Sequence, residues 1–263
     1  MSASPAIERP ALAACGLSHP GLKRTDNEDS IGTFVEDRLF IVADGVGGHS
    51  AGEVASATAV EALSTFFRSY HANPHQKWPH PIDRSLSLGG NLLSVGIKVA
   101  NDRIRAEAAA DRSRSRMAST IVAIAVGDAQ LTVAHSGDSR AYRIRGGQIE
   151  RLTRDHSILE EMIAARPDMS EEELSSFSHR NVVTKCLGSK DDLDPTISIE
   201  SMHPGDTYLL CSDGLWGSVR DPQMAEIVTA AGGDLPAACQ RLIDTANDAG
   251  GPDNISVVLV RVG

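Results

Sequence analysis

The order of predicted strands and helices most limits the folds open to this chain. Strand patterns come in blocks, and helical periodicity falls between the blocks rather than after every strand. Strands are predicted in residues 12–44, including a hairpin of Ser30–Val35 and Arg38–Ala43, and at Ser119–Val126, Leu131–His135, Ala141–Arg145, Gln148–Leu152, Thr196–Ser201, Thr207–Cys211 and Ile255–Val262. Helices are predicted at about 51–70, 85–110, 155–178, 222–231 and 235–247. This order counts against a doubly wound parallel sheet, in which strands and helices alternate.

Length and composition indicate one soluble globular domain. The chain has 263 residues, of which 41% are hydrophobic and 23% charged, and no linker divides it, so we expect a single domain over residues 1–263. The formal net charge of −10 argues against nucleic-acid binding, because Lys and Arg hold phosphate backbones. No apolar run approaches the roughly 20 residues that span a bilayer, so no membrane association is expected. The four cysteines form no C-x-x-C pair, which favours reduced thiols and a cytoplasmic protein.

A glycine-rich stretch at residues 41–56, IVADGVGGHSAGEVAS, predicts a strand, a loop and a helix. Gly47 to Gly52 has the G-x-x-x-x-G spacing of a phosphate-binding loop. That loop requires Lys and then Ser or Thr after its last glycine, and Glu53 and Val54 stand there instead. The dinucleotide-binding version also fails, since Ser50 occupies the position of its third glycine. A nucleotide site is therefore disfavoured.

Acidic residues recur at the ends of the predicted strands. They are the pair Glu28 and Asp29, then Asp44, Asp138, Asp213 and Asp253. Asp before Gly is a common turn signal, so each position taken alone is explained by a turn. Taken together, many carboxylates with few His or Cys nearby suit Mg²⁺ or Mn²⁺ rather than zinc. Such positions could converge at one edge of a sheet sandwich.

Two such ions about 3.5 to 4 Å apart can activate a water for in-line attack on phosphorus. Arg24 lies four residues before Glu28, and its guanidinium fork matches a pair of phosphate oxygens. A surface arginine without a role is the alternative interpretation. The residues by themselves thus point to chemistry at a phosphate group.

Six motifs in order resemble those of the metal-dependent serine/threonine protein phosphatases of the type-2C (PPM) family. The resemblance extends from Gly16 to Val262. Two stretches are most similar to the bacterial branch: the glycine-glycine-histidine sequence that ends at His49, and residues 180–182. The motifs are Arg24-Thr-Asp-Asn-Glu28-Asp29, Val42-Ala-Asp44-Gly45-Val-Gly-Gly-His49, Ser136-Gly-Asp138-Ser139-Arg140, Leu152-Thr-Arg-Asp155-His156-Ser157, Ser212-Asp213-Gly214-Leu-Trp216 and Gly251-Pro-Asp253-Asn254.

The resemblance implies an α+β fold, a four-layer α-β-β-α sandwich of two antiparallel sheets flanked by helix pairs. It also implies a centre of two Mn²⁺ or Mg²⁺ ions at one end of the sandwich. Asp44 would bridge the ions, the Gly45 carbonyl would complete one coordination shell, and Arg24 would hold the substrate phosphate. The other implied ligands are Asp213 and Asp253 at one ion and Glu28 at the other, with Asp29 and Asn254 supporting them from behind.

Two departures from the family pattern affect the expected chemistry. Eukaryotic relatives place a proposed general acid, His, directly after the first Asp-Gly, and Val46 stands there, so protonation of the leaving group is unassigned. Relatives usually carry an Asp four residues after the Asp of the Ser-Asp-Gly motif, and Gly217 stands there. A third metal site would use Asp138, and Gly217 puts that site in doubt.

The resemblance further implies a flap at about residues 155–185, beside the active site. We expect a monomeric phosphatase whose metal-activated water hydrolyses phosphoserine and phosphothreonine on proteins, without a phosphoenzyme. Its substrates would be targets of a Ser/Thr kinase. Two alternatives stay open: a catalytically inactive relative that binds phosphoproteins through the same fold, and a two-metal phosphodiesterase. Retention of the four ligand positions argues against the first.

Overall fold

The strands form two antiparallel sheets. The structure, a computed structural model, describes residues 9–47, 51–166, 168–170 and 182–263. Sheet I has the order β1-β11-β10-β7-β8 and sheet II the order β2-β3-β5-β6-β9, with the short β4 paired to β3. The strands are β1 (Leu12–His19), β2 (Asp29–Phe34), β3 (Leu39–Val46), β4 (Ala118–Ser119), β5 (Ile121–Val126), β6 (Gln130–Ser136), β7 (Arg140–Arg145), β8 (Gln148–Arg151), β9 (Thr196–Ser201), β10 (Thr207–Cys211) and β11 (Ile255–Val262).

Helix pairs cover the outer faces of both sheets. In the described residues the helices are α1 (Ala51–Ala72), α2 (Leu88–Ala110), α3 (Ile158–Ala165), α4 (Asp213–Trp216), α5 (Asp221–Ala230) and α6 (Leu235–Asp248), with a 3-10 turn at Arg112–Arg114. Helices α1 and α2 pack together over sheet II, while α5 and α6 pack over sheet I. The expected four-layer α-β-β-α sandwich is therefore confirmed.

Strand β3 shows how the layers are held together. Leu39 and Ile41 point into the apolar cluster beneath α1 and α2, whereas Phe40 and Val42 point into the cluster between the two sheets. All four side chains are fully buried. Because successive side chains of a strand face opposite sides, a strand covered on both faces reads as a continuous apolar run. This explains the sequence Leu-Phe-Ile-Val-Ala that leads into Asp44.

Most predicted elements are found, with shifted ends. Helix α2 begins at Leu88 rather than at residue 85, because the Ser87 hydroxyl accepts a 3.1 Å hydrogen bond from the Gly90 N–H and caps the helix. The strand predicted from Ser119 is interrupted at Thr120, whose N–H bonds the Asp44 carbonyl at 2.8 Å. Of the helix predicted over 155–178, only Ile158–Ala165 is observed, as α3, which Ser157 caps. Residues 166 and 168–170 are not helical, and residues 167 and 171–178 lie outside the described part. Helix α4 was not predicted.

Among the described helices, none is both long enough and apolar enough to cross a membrane.

Candidate metal centre

The predicted acidic residues lie at one end of the two sheets. Asp29 and Asp44 are paired across the β2–β3 ladder, Asp213 follows β10, and Asp253 precedes β11. These carboxylates share one electrostatic environment. The pKa of Asp44 is raised well above its ordinary value, first by burial and then by the charges of Asp29, Asp213, Asp138 and Asp253. The convergence expected from the sequence is thus observed for all five positions.

Burial also raises the pKa of the neighbouring carboxyls. For Asp213 the pKa rises to about 7, with the charge of Asp138 as the next cause. For Asp29 it rises to about 6, although a hydrogen bond from Ser212 opposes the shift. Carboxyls that are gathered and desolvated in this way are costly to ionise without a compensating cation.

Three buried carboxylate oxygens in this region accept no hydrogen bond from the protein. They are Oε1 of Glu28, Oδ1 of Asp29 and Oδ1 of Asp213. Buried carboxylate oxygens are normally satisfied, so oxygens without a donor fit a hard divalent cation. In their present positions, no three His, Cys, Asp or Glu side chains of the described segments are close enough to enclose an ion. The carboxylates therefore share the region without forming a closed coordination shell, and the oxygen donor set fits Mg²⁺ or Mn²⁺.

The glycines after Asp44 allow helix α1 to approach Glu28. The N–H of Gly45 donates a 3.1 Å hydrogen bond to the Glu28 carbonyl. A Cβ on Gly45 would lie 2.0 Å from the Gly52 carbonyl oxygen, and one on Gly52 would lie 2.6 Å from Oε1 of Glu28. Neither position has room for a side chain. The glycine-rich stretch thus serves close backbone packing beside the carboxylates, and residues 48–50 of it, including His49, lie outside the described residues.

Two hydroxyl residues missed in the sequence fix the backbone of Asp44. The Asp44 N–H donates to Oγ1 of Thr120 at 3.1 Å, and the Ser119 hydroxyl lies within hydrogen-bond distance of two carbonyls, that of Thr120 at 2.7 Å and that of Asp44 at 3.1 Å. Both hydroxyl residues are fully or almost fully buried. The available signal was a Ser-Thr pair directly before an apolar strand.

Asn254 holds the loop that carries Arg24 and Glu28. Its Oδ1 accepts a 2.8 Å hydrogen bond from the Glu28 N–H, and its Nδ2 donates to the carbonyls of Pro20 and Asp26 at 2.9 Å each. Asn254 is buried, so these bonds are shielded from water. Asn254 therefore fixes the backbone of Glu28.

Arg24 lies at the rim of the site. Its Nη2 donates a 2.8 Å hydrogen bond to Oδ2 of Asp253, and the two side chains are 53% and 36% exposed. An exposed ion pair of this kind is weak, so the guanidinium can exchange Asp253 for another anion. Val46, at the end of β3, is 52% exposed and offers no proton donor.

Asp138 lies in the turn between β6 and β7. Burial and then the charge of Asp155 raise the pKa of Asp138 to about 6. Its charge is in turn the largest electrostatic contribution to the raised pKa of Asp213. Asp138 is therefore close enough to Asp213 to raise its pKa, although Gly217 provides no third carboxylate. The Gly217 N–H instead bonds the Asp213 carbonyl at 2.8 Å and ends α4.

The two ends of the expected flap are joined at their base. Ser157 and Val183 form an antiparallel bridge, and the Ile158 N–H donates to the Val182 carbonyl at 3.0 Å. The Thr184 N–H donates to the His156 carbonyl at 2.8 Å. Residues 167 and 171–181 of the flap lie outside the described part of the chain.

Comparison with known proteins agrees with this geometry. The family model for protein phosphatase 2C matches residues 16–255. Protein phosphatase PhpP of Streptococcus pneumoniae is 32% identical over 251 residues, which cover 94% of this chain and 96% of PhpP. The crystal structure of the serine/threonine phosphatase PstP of Mycobacterium tuberculosis is similar with a TM-score of 0.82 and 30% identity, over 95% of this chain and 98% of that one.

A second structure concerns the catalytic domain of PstP in complex with two manganese ions. It matches with a TM-score of 0.79 and 30% identity, over 95% of this chain and 98% of that one. The two-sheet fold described above agrees with these similarities. This chain belongs to the protein phosphatase 2C family.

Proposed function

We propose that this chain is a protein serine/threonine phosphatase that depends on Mn²⁺ or Mg²⁺. The observation that carries the proposal is the group of buried carboxylates with oxygens that no protein donor satisfies, in a chain of the protein phosphatase 2C family. PhpP and PstP are named as protein phosphatases, and a PstP structure contains two manganese ions.

The ligands proposed for two ions are Asp44 as the bridging carboxylate, the Gly45 carbonyl, and Glu28, Asp213 and Asp253. Asp29 and Asn254 support this set. Asp29 would orient the waters around it, and Asn254 fixes the Glu28 backbone at 2.8 Å. A weaker third ion would use Asp138, without the second carboxylate that Gly217 replaces. Bound divalent cations supply a nucleophile derived from water and neutralise charge at phosphorus.

The side chains of this protein would bind the substrate phosphate and hold the Asp44 carboxylate in a fixed position. Arg24 exchanges its exposed contact with Asp253 for the phosphate oxygens, which a guanidinium fork binds in pairs. Thr120 and Ser119 keep the Asp44 backbone in place, so the carboxylate does not have to be reorganised during the reaction. No side chain of this site is proposed as the general acid, since Val46 cannot donate a proton.

The substrates would be proteins phosphorylated on serine or threonine by a kinase. The chain would act as a cytoplasmic monomer, with a single domain over residues 1–263. A flap at about residues 155–185 would border the substrate.

Hydrolysis of p-nitrophenyl phosphate with and without Mn²⁺ tests the proposal, with Asp44→Asn run in parallel. We expect Mn²⁺-dependent turnover by the wild type and a loss of more than about 100-fold in the variant, because ligand loss costs more than loss of a supporting residue. An inactive wild-type protein that still binds phosphopeptides would favour the inactive-relative alternative. Faster hydrolysis of bis-p-nitrophenyl phosphate would favour the phosphodiesterase.

A further inference from the structure

Arg140, at the start of β7, occupies the centre of a cluster that the proposed chemistry does not use. Its Nε and Nη2 donate to both carboxylate oxygens of Asp155, at 2.7 to 3.2 Å, and its Nη1 donates to the Tyr142 hydroxyl at 3.2 Å. The side chains of Arg140 and Asp155 are only 14% and 5% exposed. A buried two-pronged ion pair fixes both partners in orientation as well as in distance.

The Arg140 guanidinium also lies over the ring of Trp216, in the helix that begins with Asp213. Its Cζ is 3.6 Å from the centre of the Trp216 ring. The Trp216 indole Nε1–H donates a 3.0 Å hydrogen bond to the carbonyl of Asp138. A guanidinium stacked on an indole is a favourable contact, and here it connects Asp138 to helix α4 through Trp216.

The residues next to Asp155 hold the same turn from its other side. The His156 N–H donates to the Gly137 carbonyl at 2.9 Å, and the Gly137 N–H donates to Nδ1 of His156 at 3.1 Å. The turn that carries Asp138 is therefore bound to the segment leading into α3. Arg140 ties that segment to α4.

We propose that Arg140 is a positioning residue that fixes the turn carrying Asp138 relative to helix α4, which begins with Asp213, and anchors both to the base of the flap. The inference rests on the proposed function, since it concerns metal binding at the same site. Removal of the guanidinium leaves the buried Asp155 with only the longer, 3.8 Å ion pair to Arg151, and it frees Trp216 to move. The two metal-facing carboxylates then lose their fixed relative position.

A matched control lies at the other end of the same strand. Arg145 makes an equivalent two-pronged pair with Asp206, through Nε at 2.6 Å and Nη2 at 2.7 Å, and Asp206 is fully buried. The two arginines are the first and last residues of β7, so five residue steps place their Cα atoms about 17 Å apart. Arg145→Gln therefore removes a similar ion pair without touching the carboxylate cluster.

The experiment is calorimetric titration of the full chain with Mn²⁺ for the wild type, Arg140→Gln and Arg145→Gln. We expect Arg140→Gln to weaken Mn²⁺ binding by at least about tenfold, the effect typical of residues that orient metal ligands, and Arg145→Gln to stay within about twofold. An unchanged isotherm for Arg140→Gln, or equal losses in both variants, would overturn the proposal. Arg140→Lys keeps the positive charge but removes the two-pronged hydrogen bonding of the guanidinium to Asp155. If Arg140→Gln does not fold, an Arg140→Lys protein with a wild-type isotherm overturns it equally.

A nuclear magnetic resonance titration with Mg²⁺ gives a second readout from the two indole N–H signals. The Trp216 signal is expected to move during the titration and to require more Mg²⁺ in Arg140→Gln, while the Trp78 signal serves as internal reference. A wild-type protein that neither binds the ions nor hydrolyses p-nitrophenyl phosphate would refute the proposed function. If the wild type binds the ions and hydrolyses p-nitrophenyl phosphate, and the Arg140 variants bind Mn²⁺ as tightly as the wild type, only the role of Arg140 would be refuted.

Discussion

The hydroxyl of Ser212 donates a 2.7 Å hydrogen bond to Oδ2 of Asp29, and the two residues belong to different sheets. Ser212 follows β10 in sheet I, and Asp29 begins β2 in sheet II. The Ser212 oxygen also accepts the Ser256 N–H at 2.9 Å. This buried bond joins the sheets at the carboxylate end and gives the Asp29 carboxylate a donor on one oxygen only, since Oδ1 has no partner.

Ser212→Ala should therefore destabilise the protein in a pH-dependent way. The lost bond stabilises ionised Asp29, whose pKa is about 6, so the cost should be about 1.5 to 3 kcal/mol at pH 8 and smaller at pH 5. Urea unfolding in EDTA measures this. In an Asp29→Asn background the pH dependence of the Ser212→Ala effect should vanish, and its persistence there would assign the effect to another group.

Asp213→Asn should stabilise the metal-free protein increasingly as pH rises. The folded pKa of about 7 exceeds the ordinary value near 4, so wild-type protein loses stability as pH rises through this range, and the amide does not. The difference in free energy of unfolding between variant and wild type should grow by about 2 to 3 kcal/mol from pH 5 to 7 in EDTA. Excess Mn²⁺ should stabilise the wild type more than the variant. A difference that is constant with pH would contradict the prediction.

Arg24→Ala should impair substrate binding while leaving stability nearly unchanged. Its exposed pair with Asp253 contributes less than about 1 kcal/mol, whereas a charge-assisted contact to phosphate contributes enough to raise KM about tenfold. Steady-state kinetics and thermal unfolding measure the two effects. Arg68→Ala is the control, because Arg68 makes a similar 2.9 Å pair with Asp37 and is 56% exposed. Equal kinetic losses in both variants would refute a phosphate-binding role.

Gly45→Ala should destabilise the protein by about 3 kcal/mol and abolish activity. The new Cβ would lie 2.0 Å from the Gly52 carbonyl oxygen, and relief of that overlap displaces α1 or Glu28. Gly89→Ala in the first turn of α2 is the comparison, since its nearest neighbour is the Thr132 hydroxyl at 3.2 Å. It should change the free energy of unfolding by less than about 1 kcal/mol. Denaturant unfolding of both variants decides the point.

Local patterns were sufficient for most elements of the fold. The apolar run before Asp44 predicted β3, and Thr196–Ser201 and Ile255–Val262 were predicted with their observed bounds. Local patterns could not predict which strands pair with each other. Strand β1 pairs with β11, which lies almost the whole chain away in sequence, and periodicity carries no information about such distant pairing. Helix α4 has four residues, which is about one turn and too short to show a helical period.

The same limit applies to the candidate site. Carboxylates after apolar strands could be identified because strand ends place side chains at a sheet edge. The roles of Ser212, Thr120 and Trp216 could not be identified from the sequence, because each residue acts through a hydrogen bond to a residue distant in sequence. Arg140 was visible only as part of a motif, and its stacking on Trp216 depends on how α4 packs.

The pairing of β1 with β11 also has a consequence for connectivity. Leu12 is opposite Val262, and the Gly263 N–H donates to the Ala11 carbonyl at 2.9 Å, so these two positions are adjacent in space. Strand β11 runs eight residues from the carboxylate end to this point, a length of about 25 Å. A short peptide could link residue 263 to residue 11, and new ends could open at the exposed Gly146-Gly147 hairpin. A circularly permuted chain of this kind would keep the same strand pairing, and its new peptide link would lie at the end of the sandwich opposite the gathered carboxylates.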